Sequence, residues 1–299
     1  MSEWTSHQGI VVGIDGSVAA HVAVRWAARE AAMRNVALTI VHVLATLPVA
    51  GSTLGWPADW VSDDLSEFQR SQGRDFIAAA TTVARDSVGD KPIDIIDQMI
   101  VGTPVASLAE ASRDAEMVVV TSKGRSGRRL LGSISTGLLH HAHCPVAVVP
   151  DQPLPHDIDR RPVLVGIDGS AASETATALA FDEASRRGVD LVALHAWTDA
   201  DMSSLPSFET SAQLQVAGET LGERIAGWQE KYPDVTVHRV IRYDHPVQRL
   251  LDEAVLAQLV VVGSHGRGGF TGMLLGSVST AIAHEARVPV IVARHRRGA

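Results

Sequence analysis

Short apolar runs rich in β-branched residues alternate along the chain with longer stretches whose apolar residues return at helical spacing. In the second half, VLVGID (163–168), LVALHAW (191–197), VTVHRVIR (235–242), LVVVGS (259–264) and VIVA (290–293) predict strands. The intervals 172–187, 210–231, 246–256 and 277–286 predict helices, and the first half follows the same order. Ser17 and Ser170 stand where they would cap first helices, Asn35 and Gly188 where they would end them. Runs such as MVVV and LVVV have no polar face, as expected of strands buried between two helix layers. An antiparallel arrangement would need hairpin signals between the runs, and none occurs. The pattern therefore predicts an α/β fold with a parallel, doubly wound sheet and right-handed crossovers.

The pattern is written twice. Val12-Gly13-Ile14-Asp15-Gly16-Ser17 returns as Val165-Gly166-Ile167-Asp168-Gly169-Ser170, and His42 in ALTIVHV returns as His195 in DLVALHA. Gly132-Ser133-Ile134-Ser135-Thr136 returns as Gly276-Ser277-Val278-Ser279-Thr280, and Pro145-Val146 as Pro289-Val290. Between the copies lies PDQPLPHDIDRRP, whose prolines favour an extended, non-helical linker. The expected organisation is a first domain over 1–151, a linker over 152–161 and a second domain over 162–299, each domain with five parallel strands and helices on both faces. The closing strands CPVAVVP and VPVIVAR are edge candidates, and a homodimer of the whole chain is compatible with the sequence.

Composition narrows the function classes. The 299 residues carry 34 acidic and 26 basic side chains, a net charge of −8, the wrong balance for a protein that neutralises nucleic-acid phosphates. Six Trp, two Tyr and five Phe are too few for single-strand stacking platforms. The lone Cys144 excludes an internal disulfide framework and any CxxC site. Residues 1–9 lack an apolar signal core, and no run reaches the roughly 18 apolar residues of a membrane span, so a cytoplasmic protein without membrane insertion is expected. The lysines are Lys91, Lys123 and Lys231, none in a Gly-Lys-Ser/Thr context, so a Walker P-loop is closed as a route to nucleotides; no G-x-G-x-x-G occurs either.

Doubly wound sheets bind ligands beyond the carboxyl ends of their strands, where the strand order reverses. Asp168 ends the first strand of the second copy, and Gly263-Ser264-His265-Gly266-Arg267-Gly268-Gly269 follows the fourth. Glycines admit a ligand close to the backbone, and successive N–H groups form a concavity suited to anions. Gly276-Ser277 then opens the last helix, whose free N–H groups and dipole favour phosphate. A carboxylate repels phosphate, so Asp168 suits ribose hydroxyls instead, and the whole fits a nucleotide.

The spacing Gly263-x2-Gly266-x9-Gly276-Ser277 resembles the G-x2-G-x9-G-S/T signature of ATP-binding universal stress proteins. The resemblance covers both halves, and the chain looks like the tandem-domain members of actinobacteria. It implies two Rossmann-like domains of the adenine nucleotide alpha hydrolase-like kind, whose closing strands pair the two copies as an internal pseudo-dimer. It further implies ATP, with magnesium, as a regulatory ligand, at most slow hydrolysis, and a role in stress response or growth control. Asp168 would hold the ribose and the backbone at Ala196 would meet adenine. Val262 and Gly263 would line the sugar side, and Gly266, Gly276, Ser277 and Val278 would hold phosphates.

The first copy departs from the pattern. Thr121 replaces the first glycine, and seven rather than nine residues separate Gly124 from Gly132. Asp15, Val43, Gly124, Gly132, Ser133 and Ile134 remain, and Arg125, Arg128 and Arg129 offer charge-assisted phosphate contacts, so ATP is expected here too. Three other readings compete. A hydrolase would draw on His265 and Arg267, but Lys123 stands at the first copy's His265 position and no nucleophile–base–acid set repeats. His140-His141-Ala142-His143-Cys144 invites a metal, yet adjacent residues on a helix diverge, and a packed helix end with a buried Cys144 is expected instead. A pure interaction module would use 44–60, with Trp56 and Trp60, and 196–210, which differ between copies and follow the second strands.

Overall fold

A computed structural model of the chain describes residues 9–45, 58–122, 131–152, 154–155, 157–197, 210–243, 245–266 and 275–294. The chain divides into two compact units, Met1–Ala142 and His143–Ala299.

In the first unit the elements follow in the order β1 (Ile10–Ile14), α1 (Val18–Arg34), β2 (Leu38–Ala45), α2 (Ala58–Val88), β3 (Ile95–Gly102), α3 (Pro104–Ala111), β4 (Met117–Thr121) and α4 (Ser133–His141). The strands are parallel in the order β3-β2-β1-β4, with Ile10 opposite both Leu38 and Met117. The order reverses at β1, which makes its carboxyl end a switch point. Helices α1 and α2 pack on one another over the sheet, and α3 and α4 on one another, giving two helix layers.

The alternation of the sequence explains the packing. β1 and β4 are buried almost throughout, as strands covered on both faces must be. α1 meets the sheet through Ala20, Ala23, Val24, Ala27, Ala28 and Ala31, small side chains at helical spacing that let the helix lie close. Ser17 caps α1, its hydroxyl accepting from the Ala20 N–H at 3.2 Å, and Asn35 ends it in the left-handed conformation. α5 repeats both devices with Ser170 and Gly188.

The second unit contains β5 (Val146–Val149), a 3₁₀ turn at Ile158–Arg160, β6 (Val163–Gly166), α5 (Ala171–Arg187), β7 (Leu191–Trp197), α6 (Thr210–Lys231), β8 (Val237–Tyr243), α7 (Pro246–Ala254), β9 (Leu259–Gly263), α8 (Ser277–Glu285) and β10 (Val290–Ala293). Five parallel strands run β10-β9-β6-β7-β8, and the order reverses at β6. Phe181 of α5 is fully buried and stacks on Trp228 and Tyr232, with ring centroids 6.3 and 5.8 Å away.

β5, the closing strand of the first copy, lies antiparallel to β10 with Val148 opposite Val290, the pairing expected of the two closing strands. The linker departs from its expected form, since it is not wholly extended. Its 3₁₀ turn buries Ile158, Arg161 bonds Asp157 through two nitrogens, and the Gln258 side-chain amide donates to the carbonyls of Asp159 and Arg161. Burying one isoleucine and satisfying those carbonyls outweighs the extended preference of the nearby prolines. Among the described residues no helix is long and apolar enough to cross a membrane.

Candidate functional site

Asp168 lies just beyond β6, at the switch point of the second unit. Its Oδ1 accepts from the Ser170 N–H at 2.9 Å and from the Ser170 hydroxyl at 2.7 Å, an Asx turn that aims the carboxylate along the start of α5. The Ser170 hydroxyl oxygen also accepts from the Ser173 N–H and lies 3.3 Å from the His265 carbonyl. The loop after β9 therefore reaches the turn after β6. Gly266 completes that approach: a Cβ built on it would stand 2.5 Å from Asp168 Oδ2. No side chain fits there without moving the carboxylate.

The base of the loop is pinned at both ends. The Gly276 N–H donates to the Ser264 carbonyl at 2.7 Å, the Ser279 hydroxyl donates to the Gly263 carbonyl at 2.5 Å, and the Ser264 N–H donates to Ala293 of β10 at 3.1 Å. Gly263 has its own steric reason, since a Cβ there would sit 2.7 Å from the Ala172 carbonyl carbon. Gly276 is the N-cap of α8 and contributes no side-chain cap, so a bound anion can serve the first turn of that helix. Ser277 is exposed and Val278 half-buried in that turn, while the Val262 side chain is buried. Ala196 on β7 lies beyond Leu194, whose carbonyl receives the last N–H of the β6 side, from Ile167, at 2.8 Å.

The first unit repeats the base. Gly132 caps α4 and its N–H donates to the Ser122 carbonyl at 2.8 Å, while the Ser135 hydroxyl donates to the Thr121 carbonyl at 2.5 Å. The first copy's shorter loop therefore keeps its anchors. Asp15 follows β1 and accepts from the Ser17 N–H at 3.0 Å. Val43 lies on β2 one residue past His42, the last partner of β1, and Ser133 and Ile134 open α4. Gly124, Arg125, Arg128 and Arg129, together with Lys123, Arg267 and Trp56, lie outside the described residues. Thus Asp168 and Gly276 both lie against the loop at Gly266, and Gly263 is bonded to the α8 residue Ser279 at the base of the same loop.

The universal stress protein family profile matches residues 7–150 and again 159–294. The chain belongs to the universal stress protein family. Universal stress protein Rv2005c of Mycobacterium tuberculosis is 50% identical over 298 residues, covering 98% of this chain and 99% of that one. Universal stress protein Rv2623 of the same organism is 49% identical over 300 residues, with the same coverage of each. The crystal structure of a universal stress protein from Archaeoglobus fulgidus superposes with a TM-score of 0.70 at 22% identity, covering 97% of this chain and 98% of that one, a likeness of fold. The tandem universal stress protein architecture expected from the duplication is thereby established.

Some side chains of the site escape the universal stress protein signature. Ser170 and Ser17 read as helix caps only, yet Ser170 also bonds Asp168 and approaches the glycine loop. Ser135 and Ser279 anchor the loop bases, and their signal was their recurrence in GSIST and GSVST. His42 and His195 marked the repeat, but their rings do more. Cys144 is fully buried, as its neighbours predict. Among the described residues no group of three or more His, Cys, Asp or Glu side chains could hold a metal ion.

Proposed function

We propose that this universal stress protein binds ATP, as its magnesium complex, and uses it as a regulatory ligand rather than a substrate, in the cytoplasm. The observation that carries the reading is the contact between Asp168 and Gly266, closed at its base by the Gly276–Ser264 bond. It brings an acceptor for sugar hydroxyls and a side-chain-free backbone for phosphates to one switch point. The carboxylate is held by Ser170 in an orientation that would meet ribose hydroxyls, and the uncapped first turn of α8 is suited to phosphate. Magnesium would supply charge neutralisation along the phosphates. The equivalent anchors at Gly132 and Ser135 support a second ATP at the first copy.

The role in stress survival or growth control follows if occupancy alters affinity for a protein partner, since a ligand shifts a conformational equilibrium only by its preference for one state. Calorimetric titration with ATP and magnesium tests the reading. Binding by the natural chain, abolished when Asp15→Ala and Asp168→Ala are combined, supports it. Equal binding by the natural chain and the double variant would overturn the site.

A further inference from the structure

His195 lies on β7, and its Nδ1 is 2.6 Å from the carbonyl oxygen of Ile167, the residue immediately before Asp168. His42 on β2 does the same in the first copy, with Nδ1 3.0 Å from the carbonyl of Ile14, immediately before Asp15. A carbonyl only accepts, so Nδ1 must carry a proton in both rings. The backbone adds the matching rung in the second copy, where the Ile167 N–H donates to Leu194 at 2.8 Å. Ile167 is thus held through its N–H by the backbone of β7 and through its carbonyl by a side chain of β7.

That carbonyl shares a rigid peptide plane with the nitrogen and Cα of Asp168. Fixing the oxygen fixes the rotation of the plane, and with it the position of the Asp168 Cα from which the side chain leaves the backbone. In the first copy the ring is itself wedged by α2. A Cβ on Gly73 would lie 2.9 Å from His42 Cδ2, and Phe76 meets the ring edge-on at 5.5 Å. Phe76 also fills the space above Gly16, where a Cβ would come within 2.4 Å of its ring. The same bond recurs in two copies whose flanking loops have diverged in length and sequence, which sets it apart from incidental packing.

We infer that His195 and His42 are positioning residues for the ligand-facing carboxylates, acting through the carbonyl before each aspartate to set the sugar-hydroxyl acceptor. This inference rests on the proposed nucleotide site. The ring itself need not touch the nucleotide; its effect is on discrimination between sugars that carry and lack the hydroxyl Asp168 receives.

The test replaces both histidines together. Asn places a side-chain N–H₂ where Nδ1 stands, whereas Gln places it where Nε2 stands, so His42→Asn/His195→Asn keeps the donor and His42→Gln/His195→Gln misplaces it. ATP and 2′-deoxy-ATP and 3′-deoxy-ATP are titrated against the natural chain and both variants. The expected result is about tenfold weaker ATP binding in the Gln pair, with its preference for ATP over one deoxy analogue collapsed towards one, and near-natural values in the Asn pair. An unchanged preference in the Gln pair would overturn the inference while leaving the site intact. Failure of the natural chain to bind any of the three would instead count against the nucleotide site. In that case the amide signals of Ser17 and Ser170, which report the aspartate carboxylates, decide. Displacement in the Gln pair and recovery in the Asn pair uphold the positioning role, and no displacement removes it.

Discussion

A Cβ on Gly266 would stand 2.5 Å from Oδ2 of Asp168, while Oδ1 of the same carboxylate is held by the Ser170 amide and hydroxyl at 2.9 and 2.7 Å. The carboxylate cannot yield to a new methyl group without giving up those bonds. Gly266→Ala is therefore expected to weaken ATP binding at the second copy about tenfold, roughly 1.4 kcal/mol. It should lower stability by about 1 kcal/mol as well. Asp168→Ala should lose the same affinity without the steric penalty. Titration calorimetry and urea denaturation on the two variants separate the effects.

Ser170 and Ser17 cap equivalent helices. Both accept from the first turn at 3.2 Å, and among the described residues the Ser170 hydroxyl is also bonded to the preceding aspartate side chain and near the carbonyl of His265. Ser17→Ala should cost about 1 kcal/mol, an ordinary cap loss. Ser170→Ala should cost more and should also weaken nucleotide binding. Equal costs and equal affinities would show that the extra bonds of Ser170 contribute nothing.

A buried ion pair recurs one turn apart on the first helix of each copy. Glu30 pairs with Arg34 at 2.8 Å, and Glu183 with Arg187; both glutamate side chains are fully buried. Removing one partner breaks the pair while its other member stays buried, and is expected to cost about 3–5 kcal/mol. Arg187→Met should therefore be more damaging than Glu183→Leu and Arg187→Met together. Urea denaturation of the two singles and the double completes the cycle.

Alkaline stability should reflect Tyr232. Burial raises its hydroxyl above the ordinary 10.0, as does Asp182 and, less, Asp234, against a lowering by Arg186. The folded chain thus keeps this proton at a pH where the unfolded chain has released it. The contribution is fully present below about pH 10 and is lost as pH rises through the higher folded value. Phenolate absorbance should resolve a late-titrating tyrosine, and Tyr232→Phe should remove it and flatten the alkaline fall in stability.

Much of the fold is legible without coordinates because its signals are local. Ser17 with Asn35, and Ser170 with Gly188, delimit helices through hydrogen bonds and backbone angles set within a few residues. The all-apolar runs of β4 and β9 declare their burial directly. The duplication supplies the rest of the frame, since a pattern read in one copy is checked in the other. What the sequence conceals depends on long-range geometry. Glu30 and Arg34 are spaced as a solvent-facing pair would be, and nothing in that spacing shows that they turn inward.

The candidate site divides in the same way. Its glycines are visible as a spacing, and Asp168 as a polar residue ending a strand. The contact between Gly266 and Asp168 spans almost a hundred residues and appears only when β6 and β9 are neighbours. His195 is visible as a repeated letter, but its bond to Ile167 requires the register of β6 against β7.

Nucleotide is proposed to occupy the site defined by Asp168, Gly266 and Gly276. The most direct measurement is the nucleotide released on denaturing freshly purified protein, quantified against chain concentration. The expected release is ATP, two per chain if the first copy's shorter loop still binds and one if only the second copy does. Protein that releases no nucleotide, and then takes up none on titration with ATP and magnesium, would contradict it.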